Sequence, residues 1–241
     1  MQSMKLQIKN NFNNSANSYD DSANVQLESS KYLAKIFSSN IRTYFPKNII
    51  DIGCGTGATS FEFLKIYRDA KITLCDISEN MINIAEQKIK NTNSIICDAE
   101  TYNFDNYYDL AISNLSLQWF ENLELFINKI MKQCDHFAFS ILTENSFSDY
   151  AKLFDISPTF DYPSIDKLKN LYGLKYHDFQ VYDLFFENVF FAAKYFKDLG
   201  ANTSSNNNEN SKIISTLLKN KNPIKLNYNI FFGIISKKGE L

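Results

Sequence analysis

The stretch DIGCGTG, residues 51–57, contains three of the chain's seven glycines. It follows a short apolar run and opens the helical pattern TGATSFEFLKIYRD (56–69). Glycines at a strand–helix junction let the backbone turn sharply and approach a ligand closely. The spacing also satisfies the dinucleotide fingerprint GxGxxA, but Asp51 at the strand tip would repel a pyrophosphate. The loop therefore predicts a nucleotide-like ligand with a positively charged group nearby.

The composition limits the classes of protein to consider. The chain has 241 residues, of which 44% are hydrophobic and 15% aromatic, enough for one packed domain. A net charge of −2 argues against a dedicated nucleic-acid binder, and no apolar run approaches membrane-spanning length. The four cysteines and two histidines are scattered, so we expect no metal site, no disulfide framework and a cytoplasmic location.

Strand and helix patterns alternate in the first part of the chain. The predicted strands are 48–52, 71–77, 93–100, 107–113 and 136–142, and the predicted helices between them include 56–69, 78–90 and 121–133. Such alternation is typical of an α/β fold with a parallel, doubly wound, Rossmann-like sheet.

After residue 143 the alternation becomes irregular. Short helices precede a predicted strand at 179–186, and another helix ends at Gly200 before an Asn-rich solvated loop at 202–210. The last predicted strand is 226–238, and together with 179–186 it favours a hairpin-like terminal pair.

We expect one domain, 1–241, in three parts. These are an N-terminal helical lid (1–45), a cofactor-binding core (46–142), and a helical insertion with terminal strands (143–241). The lid is indicated by Phe12 and other spaced apolar residues in a polar, Asn-rich segment, since a narrow apolar stripe needs a partner surface.

The cofactor prediction is S-adenosylmethionine. Its ammonium suits Asp51, Asp76 at the end of the second strand suits two ribose hydroxyls, and Asp98 suits the adenine amino group. Met81 is placed to pack on the adenine, although a core role is an equal alternative. The other predicted cofactor residues are Tyr19, Gln26, Gly53, Gly55, Gly57, Ile77, Ala99 and Asn114.

Four segments outside the glycine loop resemble one enzyme family. They are NNFNNSANSYDDSANVQ (10–26), SNLSLQWF (113–120), FKDLGAN (196–202) and LNYNIFFGIISKK (226–238). In this order they resemble the malonyl-acyl-carrier-protein O-methyltransferases of biotin synthesis, which have the class I methyltransferase fold. Asn14 departs from the pattern, because the family commonly has an arginine there.

The resemblance implies methyl transfer from S-adenosylmethionine to the free carboxylate of a malonyl thioester, carried by acyl carrier protein or coenzyme A. A carboxylate is already ionised at pH 7, so we expect no catalytic base and no metal. The predicted acceptor residues are Phe12, Tyr19, Gln118 and Trp119. Two alternatives stay open: a methyltransferase for another small carboxylic acid, and a cofactor-binding assembly factor or hydroxylase without methyl transfer.

Overall fold

The computed structural model of the chain describes residues 2–154, 162–201 and 221–237. The loop predicted at 202–210 lies outside the described residues. No helix in the described ranges is long and apolar enough to span a membrane.

The described residues form a seven-stranded sheet in the order β3-β2-β1-β4-β5-β7-β6. The first five strands run parallel, and β7 is antiparallel to both of its neighbours, β5 and β6. The predicted parallel sheet with a terminal antiparallel pair is therefore confirmed. The strands are β1 (Asn48–Ile52), β2 (Lys71–Asp76), β3 (Asn93–Ile96), β4 (Tyr108–Asn114), β5 (Cys134–Leu142), β6 (Leu174–Phe186) and β7 (Ile224–Ser236).

Helices precede the sheet, connect its strands and cover both of its faces. They are α1 (Gln2–Ser15), α2 (Tyr19–Ser22), α3 (Asn24–Asn40), α4 (Ala58–Ile66), α5 (Glu79–Lys88), α6 (Leu123–Ile130), α7 (Ser148–Phe154), α8 (Ile165–Lys169) and α9 (Val189–Asp198), with one turn of 3-10 helix at Leu117–Trp119. The hydroxyl of Ser78 accepts a hydrogen bond from the backbone N–H of Met81, so the predicted cap of α5 is present.

Two buried clusters lie on the two faces of the sheet. Helices α3, α4 and α5 pack on one face, with Phe37 and Phe63 fully buried, and α6 and α8 pack on the other around Phe137. Aromatic rings bury a large apolar area each, so these contacts fix the helices against the strands. Because β1, β2 and β4 run parallel, their carboxyl ends meet at one edge of the sheet.

The lengths of two strands differ from the sequence prediction. β3 ends at Ile96 because the carbonyl of Asp98 accepts hydrogen bonds from the N–H groups of Thr101 and Tyr102, which forms a turn. β6 begins at Leu174 rather than 179, because β7 supplies backbone partners over its whole length. Half-buried and exposed residues alternate along β6, so its early part has no apolar run from which a strand could be predicted.

The N-terminal region contains elements of two kinds. Helix α3 packs into the core through Leu33 and Phe37, both of which are fully buried. Helices α1 and α2, residues 2–22, instead lie across the carboxyl edge of the sheet, and we call them the N-terminal helices. The three-part division of the chain stays a prediction.

Candidate functional site

The glycine loop between β1 and α4 has the open backbone that its sequence predicts. Gly53 has a φ of +68°, and a Cβ there would come within 1.8 Å of the Ser116 hydroxyl oxygen. Gly55 has a φ of +52°, and apart from its two chain neighbours no atom of the described residues lies within 4 Å of the position its Cβ would take. Gly53 thus permits close packing of two loops, while Gly55 presents bare backbone to an open space.

That open space is a cavity of about 400 Å³ at the carboxyl edge of the sheet. Its volume is within the range of small-molecule sites, and its place beyond the strand ends is where open α/β sheets bind ligands. Most of the predicted site residues line it: Phe12, Tyr19, Gln26, Gly53, Gly55, Gly57, Asp76, Ile77, Met81, Asp98, Ala99, Asn114 and Trp119. Asp51 and Gln118 are not among the lining residues.

Asp76 joins the glycine loop to the end of β2. One carboxylate oxygen accepts from the N–H of Gly55 at 2.9 Å, and the other accepts from the N–H of Ser78 at 2.8 Å. Burial raises the pKa of Asp76, and these backbone hydrogen bonds oppose the rise. A carboxylate has about four acceptor positions in all, so Asp76 can hold the loop and still receive a ligand hydroxyl.

Asp51 lies beneath the loop and is fully buried. Its Oδ2 accepts from the N–H and the hydroxyl of Ser60 at 3.1 and 2.7 Å, whereas its Oδ1 has no hydrogen-bond partner among the described residues. Burial raises the pKa of Asp51 to about 7. The predicted contact between Asp51 and a ligand ammonium stays a prediction, and the unpartnered oxygen is the atom available for it.

Asn114 at the end of β4 is held by the protein itself. Its Oδ1 accepts from the hydroxyls of Ser29 and Ser140, both at 2.6 Å, and its Nδ2 donates to the Gln26 carbonyl and the Ser30 hydroxyl. The side chain therefore ties α3 to β4 and β5 while one side of it lines the cavity. These three serines escape sequence reasoning because they show no motif, and only packing brings them to Asn114.

The N-terminal helices are attached to the loop that follows β2 and to the glycine loop. The Asn13 side-chain carbonyl accepts from the Ser78 hydroxyl at 2.7 Å and from the N–H of Asn80 at 3.2 Å. Asp20 accepts from the Thr56 hydroxyl at 2.6 Å and forms an ion pair with Lys88. These contacts place Tyr19 and Gln26 at the cavity wall, and burial raises the pKa of Tyr19 well above its ordinary value.

A third attachment reaches the loop that follows β3. Lys5 of α1 pairs with Glu100 at 2.5 Å and lies 3.6 Å from Asp98. On the other side of this loop, the Lys129 ammonium donates to the carbonyls of Ala99, Glu100 and Tyr102 at 2.6 to 2.9 Å. Two lysines from distant helices thus fix the segment that carries Asp98.

The predicted acceptor residues separate into two groups. The rings of Phe12 and Trp119 meet edge to face with centroids 5.5 Å apart, and both line the cavity. Gln118 instead turns away: its Nε2 donates to the Leu115 carbonyl at 2.6 Å, and its buried Oε1 has no partner within the described part of the chain. Its predicted contact with the acceptor carboxylate is untested; Nε2 has a second N–H, but Gln118 is not among the residues that line the cavity.

The cavity meets the requirements of S-adenosylmethionine. Gly55 leaves room for a ligand, Asp76 and Asp98 supply acceptors at successive strand ends, and the buried Oδ1 of Asp51 lacks a donor. Among the described residues, no group of three or more His, Cys, Asp and Glu side chains is arranged to hold a metal ion.

Comparisons with known proteins agree with this geometry. A model of a methyltransferase domain matches residues 49–135. Malonyl-[acyl-carrier protein] O-methyltransferase 1 of Ilyobacter polytropus is 28% identical over 97% of this chain and 95% of its own. Malonyl-[acyl-carrier protein] O-methyltransferase 2 of the same organism is 32% identical over 71% of this chain and 70% of its own.

A solved structure shares the fold. The plantazolicin methyltransferase BpumL, in complex with SAH, superposes with a TM-score of 0.56 at 14% identity, covering 98% of this chain and 97% of that one. The fold is thus that of the class I methyltransferases. The match to the second Ilyobacter enzyme shows that the chain belongs to the family of the malonyl-[acyl-carrier protein] O-methyltransferases.

Proposed function

We propose that the protein transfers the methyl group of S-adenosylmethionine to the free carboxylate of a malonyl thioester on acyl carrier protein. The methyl ester formed would start the synthesis of the pimeloyl chain of biotin. The observation that carries this proposal is the extent of the match to the first Ilyobacter enzyme. It continues past the general methyltransferase domain, 49–135, into the N-terminal helices and terminal strands.

The cofactor supplies an electrophilic methyl group on a sulfonium. Asp76, which lines the cavity, would accept hydrogen bonds from the ribose, and the open backbone at Gly55 would let the ligand lie against the loop. Asp98, which lies 3.6 Å from the Lys5 ammonium in a loop that Lys129 also holds, would accept a hydrogen bond from the adenine amino group. The unpartnered oxygen of Asp51 suits the ammonium of the amino-acid end.

The residues of this chain act on the reaction by alignment and by exclusion of water. A malonyl carboxylate is ionised at neutral pH and needs no base to become a nucleophile. The rings of Phe12 and Trp119 close one side of the cavity with apolar surface. A dry, ordered site strengthens the nucleophile and fixes its approach.

The acceptor carboxylate is expected to lie near Trp119. This residue follows the end of β4, next to the loop that packs on Gly53. The amide of its neighbour Gln118 instead donates to the Leu115 carbonyl. The contact with the acceptor is therefore better assigned to the rings of Phe12 and Trp119, which we call the acceptor wall. Phe12 comes from the N-terminal helices, so an intact acceptor wall requires these helices to be in place.

The cellular location is proposed to be the cytoplasm. The four cysteines are free thiols, which is typical of proteins in reducing compartments.

A transfer assay tests the proposed function. The full chain is incubated with cofactor labelled in its methyl group and with malonyl-acyl carrier protein, malonyl-coenzyme A, or free malonate. We expect a base-labile methyl ester on the carrier protein, formed faster than with the other two acceptors. Preferential labelling of free malonate would favour a methyltransferase for small carboxylic acids. Cofactor binding without labelling of any acceptor would favour a binding protein without methyl transfer.

A further inference from the structure

Two cysteines face each other in the wall of the cofactor cavity. The Sγ atoms of Cys75 and Cys97 are 3.6 Å apart, and both residues line the cavity. Each comes directly before an acid of the predicted cofactor site, Asp76 and Asp98. The pair therefore belongs to the strand ends that bind the cofactor, although the proposed methyl transfer uses neither thiol.

The two cysteines differ in their freedom to move. Cys75 is fully buried in β2, an interior strand that pairs with β1 on one side and β3 on the other. Cys97 is half-buried and lies one residue beyond the end of β3, the edge strand. A reagent entering the cavity therefore meets Cys97 as the more exposed thiol of the pair.

We propose that Cys75 and Cys97 are an oxidative modification site, at which a low-molecular-weight disulfide converts the two thiols to an intramolecular disulfide that weakens cofactor binding.

The exchange requires two steps. The Cys97 thiolate attacks one sulfur of the external disulfide, which gives a mixed disulfide and releases one thiolate. The released thiolate takes the proton of the buried Cys75, and the Cys75 thiolate attacks the Cys97 sulfur and releases the second thiolate. In sum, two protein thiols are oxidised and one external disulfide is reduced to two thiols. The hydrogen bond between the pair lowers the pKa of Cys97, which supports its role as the first nucleophile.

Closure of the disulfide has a direct consequence for the site. The sulfur atoms must approach from 3.6 Å to the bond length of about 2.05 Å. Ladders on both sides of β2 hold Cys75, whereas the backbone N–H of Cys97 donates one hydrogen bond, to the Asp76 carbonyl. The movement therefore falls on Cys97 and acts against the contacts of Lys5 and Lys129 with the loop that follows. Asp98 and Ala99 follow Cys97 and line the adenine side of the cavity. Displacing them misplaces a charged acceptor and is expected to lower cofactor affinity roughly tenfold or more.

The experiment treats the full chain with oxidised glutathione and maps the resulting disulfides by mass spectrometry of tryptic peptides. Calorimetry then measures the affinity for S-adenosylhomocysteine before oxidation, after oxidation, and after reduction with dithiothreitol. We expect a Cys75–Cys97 cross-link, a roughly tenfold or greater loss of affinity, and full recovery on reduction. A mixed disulfide at Cys97 without a cross-link, or a cross-link without loss of affinity, would overturn the proposal.

Two variants and one protection experiment distinguish the Cys75–Cys97 disulfide from oxidation elsewhere in the protein. Each variant is compared with itself before and after oxidation. Cys97→Ser should lose the response to oxidised glutathione, whereas Cys134→Ala, which alters a buried cysteine on β5, should keep it. Bound S-adenosylhomocysteine should slow the cross-link, because it occupies the cavity through which the reagent enters. Equal cross-linking rates with and without this ligand would contradict access through the cavity.

The inference rests on the cofactor part of the proposed function and not on the acceptor. If the reduced protein does not bind S-adenosylhomocysteine, the proposed function fails. If the reduced protein binds it and oxidation changes nothing, only the present inference fails.

Discussion

The carboxylate of Asp76 at the end of β2 accepts a hydrogen bond from the backbone N–H of Gly55, across 2.9 Å. This contact joins the acid predicted to bind the ribose to the glycine that leaves space for the ligand. The two features that indicate a cofactor in the sequence are therefore one connected unit in the structure. A change at Asp76 acts both on the ligand and on the loop that receives it.

Replacing Asp76 by Ala should weaken S-adenosylhomocysteine binding. The ribose hydroxyls would lose a charged acceptor, and such hydrogen bonds contribute about 1.5–3 kcal/mol, which corresponds to roughly 10- to 150-fold in affinity. Isothermal calorimetry measures the change. Asp76→Asn is the matched control, because it keeps the size and one acceptor, and it should lose less. Unchanged affinity in the Ala variant would remove Asp76 from the site.

The stability of the ligand-free protein should depend on the ionisation of Asp51. Its pKa is raised from 3.8 to about 7, so the folded state keeps the proton longer than the unfolded state does. The associated stability is fully present below pH ~4 and is lost as pH rises toward 7, by roughly 4 kcal/mol at most. Asp51→Asn should therefore flatten this part of the curve of melting temperature against pH.

The control for that measurement is Glu79→Gln, which removes an exposed carboxylate at the start of α5. It should leave the pH dependence of the wild type in place. Asp51→Asn should also weaken S-adenosylhomocysteine, which carries the amino-acid ammonium. A variant that keeps full affinity would show that the buried Oδ1 of Asp51 does not meet the ligand.

Deleting residues 2–22 should abolish methyl transfer while the sheet stays folded. The deletion removes Phe12 from the acceptor wall and the attachment of Asp20 to Thr56, but it leaves α3 in the core. Circular dichroism measures the fold, and the labelled-cofactor assay measures transfer. An active truncated protein would show that the N-terminal helices are not needed to exclude water.

A single substitution tests how the N-terminal helices are attached without removing them. Asp20→Ala removes the contacts to Thr56 and Lys88, whereas Asp21→Ala removes the adjacent exposed carboxylate. Hydrogen exchange of residues 2–22 with S-adenosylhomocysteine bound should show less protection in the first variant than in the second. Identical protection in both would mean that Asp20 does not hold the helices on the cavity.

Trp119→Ala should reduce methyl transfer more than it reduces cofactor affinity. It removes an aromatic ring from the acceptor wall and its edge-to-face contact with Phe12, an interaction of about 0.5–1.5 kcal/mol. Steady-state kinetics with malonyl-acyl carrier protein should show a raised KM for this acceptor. Trp119→Phe keeps a ring and should recover part of the loss. Wild-type kinetics for the Ala variant would place the acceptor elsewhere, such as beside the elements that follow residue 143.

The sequence alone determined the parallel part of the sheet and the position of the cofactor loop. Apolar runs of strand length, alternating with amphipathic helices, permit few arrangements other than a doubly wound sheet. The loop 51–57 could be recognised because the left-handed backbone at Gly53 and Gly55 favours glycine, and closely spaced glycines are visible in the sequence. The early part of β6 could not be recognised, since its strand character comes from pairing with β7.

Only the tertiary structure decided which polar side chains line the cavity and which are hydrogen-bonded within the protein. Asp51 and Gln118 carry suitable chemistry in sequence, yet packing buries the first beneath the loop and turns the amide of the second toward Leu115. The facing thiols of Cys75 and Cys97 have no motif, because their contact depends on the register of β2 and β3. Local patterns specify backbone form, whereas side-chain partners depend on residues distant in sequence that folding brings together.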